Sequence, residues 1–260
     1  MADVVRSWIA ANWNSKITMI SAVATATGIA LVVWLKSDRA RIYAGCVTRI
    51  MLDYDRLMTK RKRQLFSELE SLKDVRAHGR LVILEIGCGS GSNFRYYPAG
   101  SEVICVEPNR HFEAALYASA RQQPEVKIAA FLVSSAERMR EVESGSVDAV
   151  VSTLVLCSVD NLGQCLKEII RVLKPGGKLF IMEHVKAPRQ FYIVRFIQVL
   201  LSLVWPLIYD GCHLTRSTQD DIRKAGFSSV DIEEFEAHEI AEMGVHHRLV
   251  RSHISGTASK

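Results

Sequence analysis

The chain has 260 residues, 48% of them hydrophobic, enough for one α/β domain with a packed core and an added segment. Its formal charge of +5 is uneven: the basic excess lies in the first eighty residues, and the remainder is slightly acidic. A nucleic-acid substrate needs a basic footprint at the active site, so that function class is excluded.

From Ile17 to Leu35 the chain runs 19 residues without a charge, between Lys16 and Lys36, with Trp13 and Trp34 near its ends. That length suits a membrane-anchor helix, and indoles favour the bilayer interface. Lys36, Arg39, Arg41 and Arg49 follow the segment and outnumber Arg6 and Lys16 before it, so the C-terminal side is expected in the cytosol. A full crossing and an in-plane insertion both remain open. Residues 37–79 read as a basic helical connector, with Tyr43, Val47, Ile50, Met51, Tyr54, Leu57 and Met58 at helical spacing. Its Lys60-Arg61-Lys62-Arg63 cluster suits either anionic headgroups or a solvated helix face.

Residues 80–260 alternate short apolar runs with helical stretches. Strands are expected at 81–86, 102–106, 127–132, 147–152 and 178–183, and helices near 91–96, 110–121, 136–141, 161–173 and 218–225. Pro175-Gly176-Gly177 marks a stop and turn, and the alternating runs 229–236 and 247–254 close the chain as a hairpin-like pair. The fold class is therefore α/β. A Rossmann-like, doubly wound, mostly parallel sheet of seven strands is expected, with an antiparallel C-terminal edge and a hydrophobic anchor helix in front.

The most informative segment is Glu85-Ile86-Gly87-Cys88-Gly89-Ser90-Gly91, directly after the apolar run Leu81 to Leu84. Closely spaced glycines between a strand and a helix bring backbone N–H groups against a ligand. Ser92 stands where a dinucleotide fingerprint would have its last glycine, which disfavours a nicotinamide dehydrogenase. Glu107 ends the next strand, twenty residues beyond Gly87, where a carboxylate can hold a ribose diol. Together they predict a nucleoside-cofactor site.

None of the six cysteines lies in C-x-x-C spacing, so neither a disulfide framework nor a metal site is expected. Cys105 and Cys165 read as buried thiols. Between Phe191 and Tyr209 lies an apolar run in which Arg195 is the single charge. It reads as a lid insertion, within 187–213, over an acceptor pocket, with a second membrane contact at 191–209. Asp210 follows this run at once, which makes it a candidate for aiming a carboxylate at something polar.

Four ordered motifs resemble class I S-adenosylmethionine-dependent methyltransferases: the Glu85–Gly91 loop, Glu107, Ser146-Val147-Asp148-Ala149-Val150, and Leu173-Lys174-Pro175-Gly176-Gly177. Ser152 to Val159, Met182-Glu183-His184-Val185 and Asp210-Gly211-Cys212-His213-Leu214-Thr215-Arg216 are similar, more narrowly, to membrane-anchored methyltransferase-like proteins that act as alkyl thiol methyltransferases. The resemblance implies S-adenosyl-L-methionine as cofactor, a small lipophilic thiol as acceptor, and an endoplasmic-reticulum or lipid-droplet protein facing the cytosol. It places the cofactor among Glu85, Gly87, Cys88, Gly89, Gly91, Glu107, Pro108, Asn109, Ala136, Glu137, Thr153 and Leu154. Ser134-Ser135-Ala136-Glu137 departs from the Gly-Asp-Ala of many relatives, so adenine lacks its usual Asp partner.

Candidate catalytic residues are Asp210, His184 and Cys212, with His213 beside them. A thiol, with a reference pKa near 8.5, is already a few per cent ionised at neutral pH and needs little base catalysis. Methyl transfer to sulfur is the leading expectation. A quinone, phenol or lipid acceptor for C- or O-methylation is the alternative, and a membrane or lipid-droplet scaffold with a vestigial cofactor site stands as an alternative of another class.

Overall fold

The computed structural model describes residues 39–74 and 80–260. The expected anchor at 17–35 lies outside the described residues. Among the described residues no helix is long and apolar enough to cross a membrane.

Seven strands form one sheet: β1 (Val82–Ile86), β2 (Glu102–Val106), β3 (Lys127–Leu132), β4 (Val147–Thr153), β5 (Leu173–His184), β6 (Ser229–Glu236) and β7 (Ser252–Ser259). Their order is β3-β2-β1-β4-β5-β7-β6. The first five are parallel, as Ile86 pairs with both Val106 and Ser152, and Thr153 with Met182. β7 runs antiparallel between β5 and β6, so the expected antiparallel pairing closes the sheet at its C-terminal end. Strand order reverses between β1 and β4, and ligands in such sheets bind beyond the strand C-termini at that point.

Three expectations are corrected. Residues 91–96 form only a 3-10 turn at Phe94–Tyr96, because Gly91 is left-handed and Tyr97 precedes a proline, which disfavours helical backbone. Residues 136–141 make turns instead of a helix. The last strand lies at Ser252–Ser259, with 3-10 backbone at Val245–Val250 where the alternating pattern began.

Helices cover both faces. The first, α1 (Arg39–Asp74), runs 36 residues without a break. Its Tyr54, Met58, Leu65, Phe66, Leu69 and Leu72 recur at helical spacing and bury against Ile83, Val103, Val151 and Phe180 of the sheet. It is thus a layer of the fold, and residues 44–260 make one compact unit. After α2 (Glu113–Ala120), which adds Leu116 to that face, α3 (Leu162–Val172) covers the other. There Cys165, Leu166, Ile169 and Val172 meet Leu84, Val150 and Ile181. Cys105 and Cys165 are fully buried, as expected. Asp148 ties strands together, accepting from Val82 N at 2.9 Å and Lys174 Nζ at 2.8 Å.

The apolar insertion forms α4 (Tyr192–Leu201) and the single turn α5 (Trp205–Ile208), followed after the Asp210 segment by α6 (Thr218–Lys224). α4 is turned inside out. Its buried residue is Gln198, which accepts from Ala187 N at 3.0 Å and donates to Leu249 O at 2.8 Å. Tyr192, Ile193, Phe196, Val199, Leu200, Leu203, Leu207 and Ile208 are exposed.

Candidate active site

The C-terminal ends of β1, β2, β4 and β5 carry, in order, Gly87, Glu107, Thr153-Leu154 and His184. At the first, the chain turns through three left-handed glycines, with φ of +55° at Gly87, +49° at Gly89 and +75° at Gly91. A Cβ at Gly87 would lie 2.4 Å from the Val155 side chain, so packing as well as φ requires glycine there. A Cβ at Gly89 would meet nothing nearer than 3.9 Å. The nearest atoms are the Phe112 ring and the loop's own Gly87 carbonyl, at ordinary contact distance, so the left-handed φ and not crowding calls for glycine there.

Glu107 is buried and held from both sides: Gly89 N donates to Oε2 at 3.0 Å and Asn109 N to Oε1 at 2.9 Å. Burial and the nearby Asp210 charge raise its pKa, while the two N–H donors oppose the rise. Asn109 also accepts from His111 N at 3.1 Å, so the whole turn is fixed. Pro108 is exposed beside it. Ala136 is buried, and Glu137 accepts from Asn161 N at 3.2 Å, which ties its carboxylate to the start of α3. The Cys88 side chain packs in the core, leaving only its backbone to the loop.

Glu85 does not face solvent. Asn93 Nδ2 donates to Oε1 at 2.8 Å and Tyr97 OH to Oε2 at 2.7 Å. Burial pushes this carboxyl up to about 7, against those two donors and Lys62. Asn93 also reaches Thr153 Oγ1 at 3.2 Å, and its own carbonyl oxygen accepts from Lys62 Nζ at 2.9 Å. Lys62 sits in the apolar stripe of α1, fully buried, 2.8 Å from Asp55 Oδ1. The sequence reading of Lys60–Arg63 as one outward cluster is corrected here. The helix turns Lys62 inward, and burial lowers its pKa against the pull of Asp55. No periodicity signalled Lys62, Asp55 or Asn93. Only a charge falling in register with Met58 and Leu65 hinted at them.

Leu154 and Asp210 are the two non-glycine residues with positive φ among the described residues, at +57° and +46°. Such backbone costs about 1–3 kcal/mol and clusters at functional sites. Leu154 directly follows β4, and exposed Asp210 lies close enough to act on Glu107.

At the end of β5, His184 Nε2 lies 3.0 Å from Cys212 Sγ, and Cys157 Sγ joins them so that all three donor atoms fall within 4.8 Å of one another. All three residues are buried. Trp205 and Leu214 wall the group, with Tyr209 stacked on Trp205 at 4.2 Å. The α4–α5 insertion thus closes over this group from its inner side. The Cys157 thiol and Trp205 favour the Cys212 thiolate against burial, and Cys157 and Glu183 favour a charged His184 against burial. Tyr54 OH, Glu183 Oε2, His184 Nδ1 and His253 Nε2 are buried nearby without hydrogen-bond partners. Tyr54 stacks on His253, and His253 pairs with His184 across the strands. His213, half-buried, only donates its backbone N–H to Cys157 O. The structure therefore gathers His184 and Cys212 into one group and puts Asp210 on the Glu107 side. It also adds Cys157, which is not among the catalytic candidates of the sequence.

The family model described as a methyltransferase domain matches residues 84–181. The chain is 40% identical over 214 residues to thiol S-methyltransferase TMT1A of Homo sapiens, covering 82% of this chain and 84% of that one. This chain belongs to the thiol S-methyltransferase TMT1 family. It is also 44% identical to TMT1B of Rattus norvegicus, over 68% of this chain and 71% of that one. Among solved structures, phosphoethanolamine N-methyltransferase 2 of Haemonchus contortus superposes with a TM-score of 0.55 at 16% identity, covering 80% of this chain and 56% of that one. A methyltransferase from Thermotoga maritima gives 0.50 at 20% identity, over 82% and 97%. These two likenesses establish the fold, and the TMT1 relatives establish the family.

Proposed function

We propose that this methyltransferase moves a methyl group from S-adenosylmethionine to the sulfur of a small lipophilic thiol at a membrane surface. The observation that carries the acceptor assignment is the Cys157–His184–Cys212 group. It lies just beyond the C-terminal ends of β4 and β5, buried beneath Trp205 and Leu214.

The cofactor fits the loop because three left-handed glycines keep side chains off its backbone and Glu107 is already oriented by two N–H donors. Glu107 would hold the ribose diol, Pro108 and Asn109 the adenine on one side, and Ala136 and Glu137 the other. Glu85, through Asn93 and the loop, would fix the amino-acid portion. S-adenosylmethionine supplies an electrophilic methyl carbon on a sulfonium sulfur. The protein's work is alignment and exclusion of water. Leu154 would lie under the reacting centre, and the apolar walls would dehydrate the acceptor sulfur. The Cys157–His184–Cys212 group is where the thiol would lose its proton.

The membrane reading rests on the α4–α5 face. An apolar patch this continuous on a soluble surface marks an interaction site, and an inside-out amphipathic helix suits the headgroup boundary. The endoplasmic-reticulum or lipid-droplet location belongs to the same proposal. A thiol dissolved in the bilayer would reach the pocket from that side.

The test is methyl transfer from labelled S-adenosylmethionine by detergent-solubilised protein to an alkyl thiol, a phenol, a quinol and an amine. Label on the thiol, lost in Glu107→Ala, is expected. Label only on another acceptor overturns the thiol assignment while keeping the cofactor.

A further inference from the structure

We infer that Cys157, His184 and Cys212 bind a soft divalent metal ion, zinc in the first instance, with one coordination position left open for the acceptor sulfur.

The geometry is close to what such an ion needs. The three donor atoms lie within 4.8 Å of one another, with His184 Nε2 and Cys212 Sγ at 3.0 Å. Around tetrahedral zinc, with Zn–S of about 2.3 Å and Zn–N of about 2.0 Å, donors sit roughly 3.5–3.8 Å apart. Shifts of less than about an ångström would seat the ion at those bond lengths. The donors are also held from three separate directions. His184 ends a central strand. The loop bearing Cys157 is clamped by Arg216, which donates to Leu156 O and Val159 O, and Cys212 N is tied to Tyr209 O.

The chemistry of the donor set points the same way. Two thiolates and a neutral imidazole select zinc-like ions over magnesium or calcium. Two thiolates also balance a divalent charge, so the buried site carries no net charge, whereas a lone buried ion of either sign would be costly. Buried Trp205 packs beside the same sulfurs, its indole N–H a donor available to a metal-bound thiolate. Three protein ligands and one open position make a catalytic arrangement, not a closed structural one. The sequence hides the site because its ligands come from three distant segments.

The catalytic role rests on the thiol-transfer reading above; the metal site itself does not. An acceptor thiol entering the open position gives up its S–H proton to solvent and binds as thiolate. Its sulfur then forms a bond to the methyl carbon as the sulfonium carbon–sulfur bond breaks, leaving a thioether and S-adenosylhomocysteine. The metal keeps its oxidation state throughout, and the neutral thioether is a weaker ligand that departs.

The experiment uses the full chain, purified in detergent under reducing conditions, with metal per chain read by elemental analysis. About one zinc per chain is expected. Cys46→Ser, which removes the exposed thiol, should leave that content unchanged, whereas Cys157→Ser and Cys212→Ser should lose it. Cobalt added to the stripped protein should give the visible bands of tetrahedral thiolate-bound cobalt, absent in both cluster variants. Retained S-adenosylmethionine binding shows that those variants are folded. Reduced wild-type protein without zinc and without cobalt bands overturns the proposal, as does metal retained in both variants. Thiol methylation undiminished in the stripped protein overturns the catalytic role. Metal bound with no thiol methylation would sink the function reading and leave the metal site standing.

Discussion

At the residue scale, the cofactor site depends on carboxylates whose surroundings are already set. Glu107 receives two backbone N–H groups before any ligand arrives, so its geometry costs nothing to organise on binding. Glu107→Ala removes a bidentate, charge-assisted contact and should weaken cofactor binding by about 3 kcal/mol, roughly a hundredfold, in calorimetry. Glu85 behaves differently. Its pKa is raised from 4.5 to about 7, so the unfolded chain releases this proton earlier than the native one. The group's contribution to stability is thus fully present below pH 4.5 and lost as pH rises through about 7. A shift of this size is worth on the order of 3 kcal/mol. Denaturation of Glu85→Gln against wild type should show the variant gaining relative stability between pH 5 and pH 8. A difference that stays constant over that range would place the carboxyl outside the titrating network.

At the element scale, α1 is the part whose role changes most once its neighbours are known. Its stripe is apolar except for Asp55 and Lys62, which lie in the buried register and reach the glycine loop through Asn93. Tyr96 OH at 3.0 Å and Arg95 at 3.2 Å complete Asp55. Cutting one partner from such a pair leaves a buried charge, so Lys62→Met should cost about 3–5 kcal/mol in urea denaturation. The double variant with Asp55→Asn should recover part of that loss. If the single variant is neutral, the ion pair does not hold α1 to the loop. The sequence showed the helix through its spacing of Tyr54, Met58 and their neighbours. It did not show which way Lys62 turns, because a four-residue basic run looks solvated until the stripe's phase is fixed by packing.

At the scale of the whole molecule, the apolar face of α4 and α5 is the main departure from an ordinary soluble surface among the described residues. Leu203 is 84% exposed and Leu200 60%, so among the described residues both side chains are largely uncovered. Leu203→Asp with Leu200→Asp should therefore leave thermal stability nearly unchanged while reducing flotation with phospholipid vesicles. Comparing the variants in protein truncated before Arg39 isolates this face from any contribution of residues 17–35. Undiminished flotation there would assign membrane contact elsewhere.

The strand pattern, the glycine loop and Glu107 are local signals, written in spacings of two, three or twenty residues. The sequence by itself therefore determined the sheet, the cofactor class and the family. The short helices near 91–96 and 136–141 were misread because single turns carry too few residues for a period to appear. Only the tertiary structure decided the buried direction of Lys62, the inside-out setting of α4, and the meeting of Cys157, His184 and Cys212. Each of these depends on side chains from separate elements converging on one point, and convergence leaves no periodic trace along a chain.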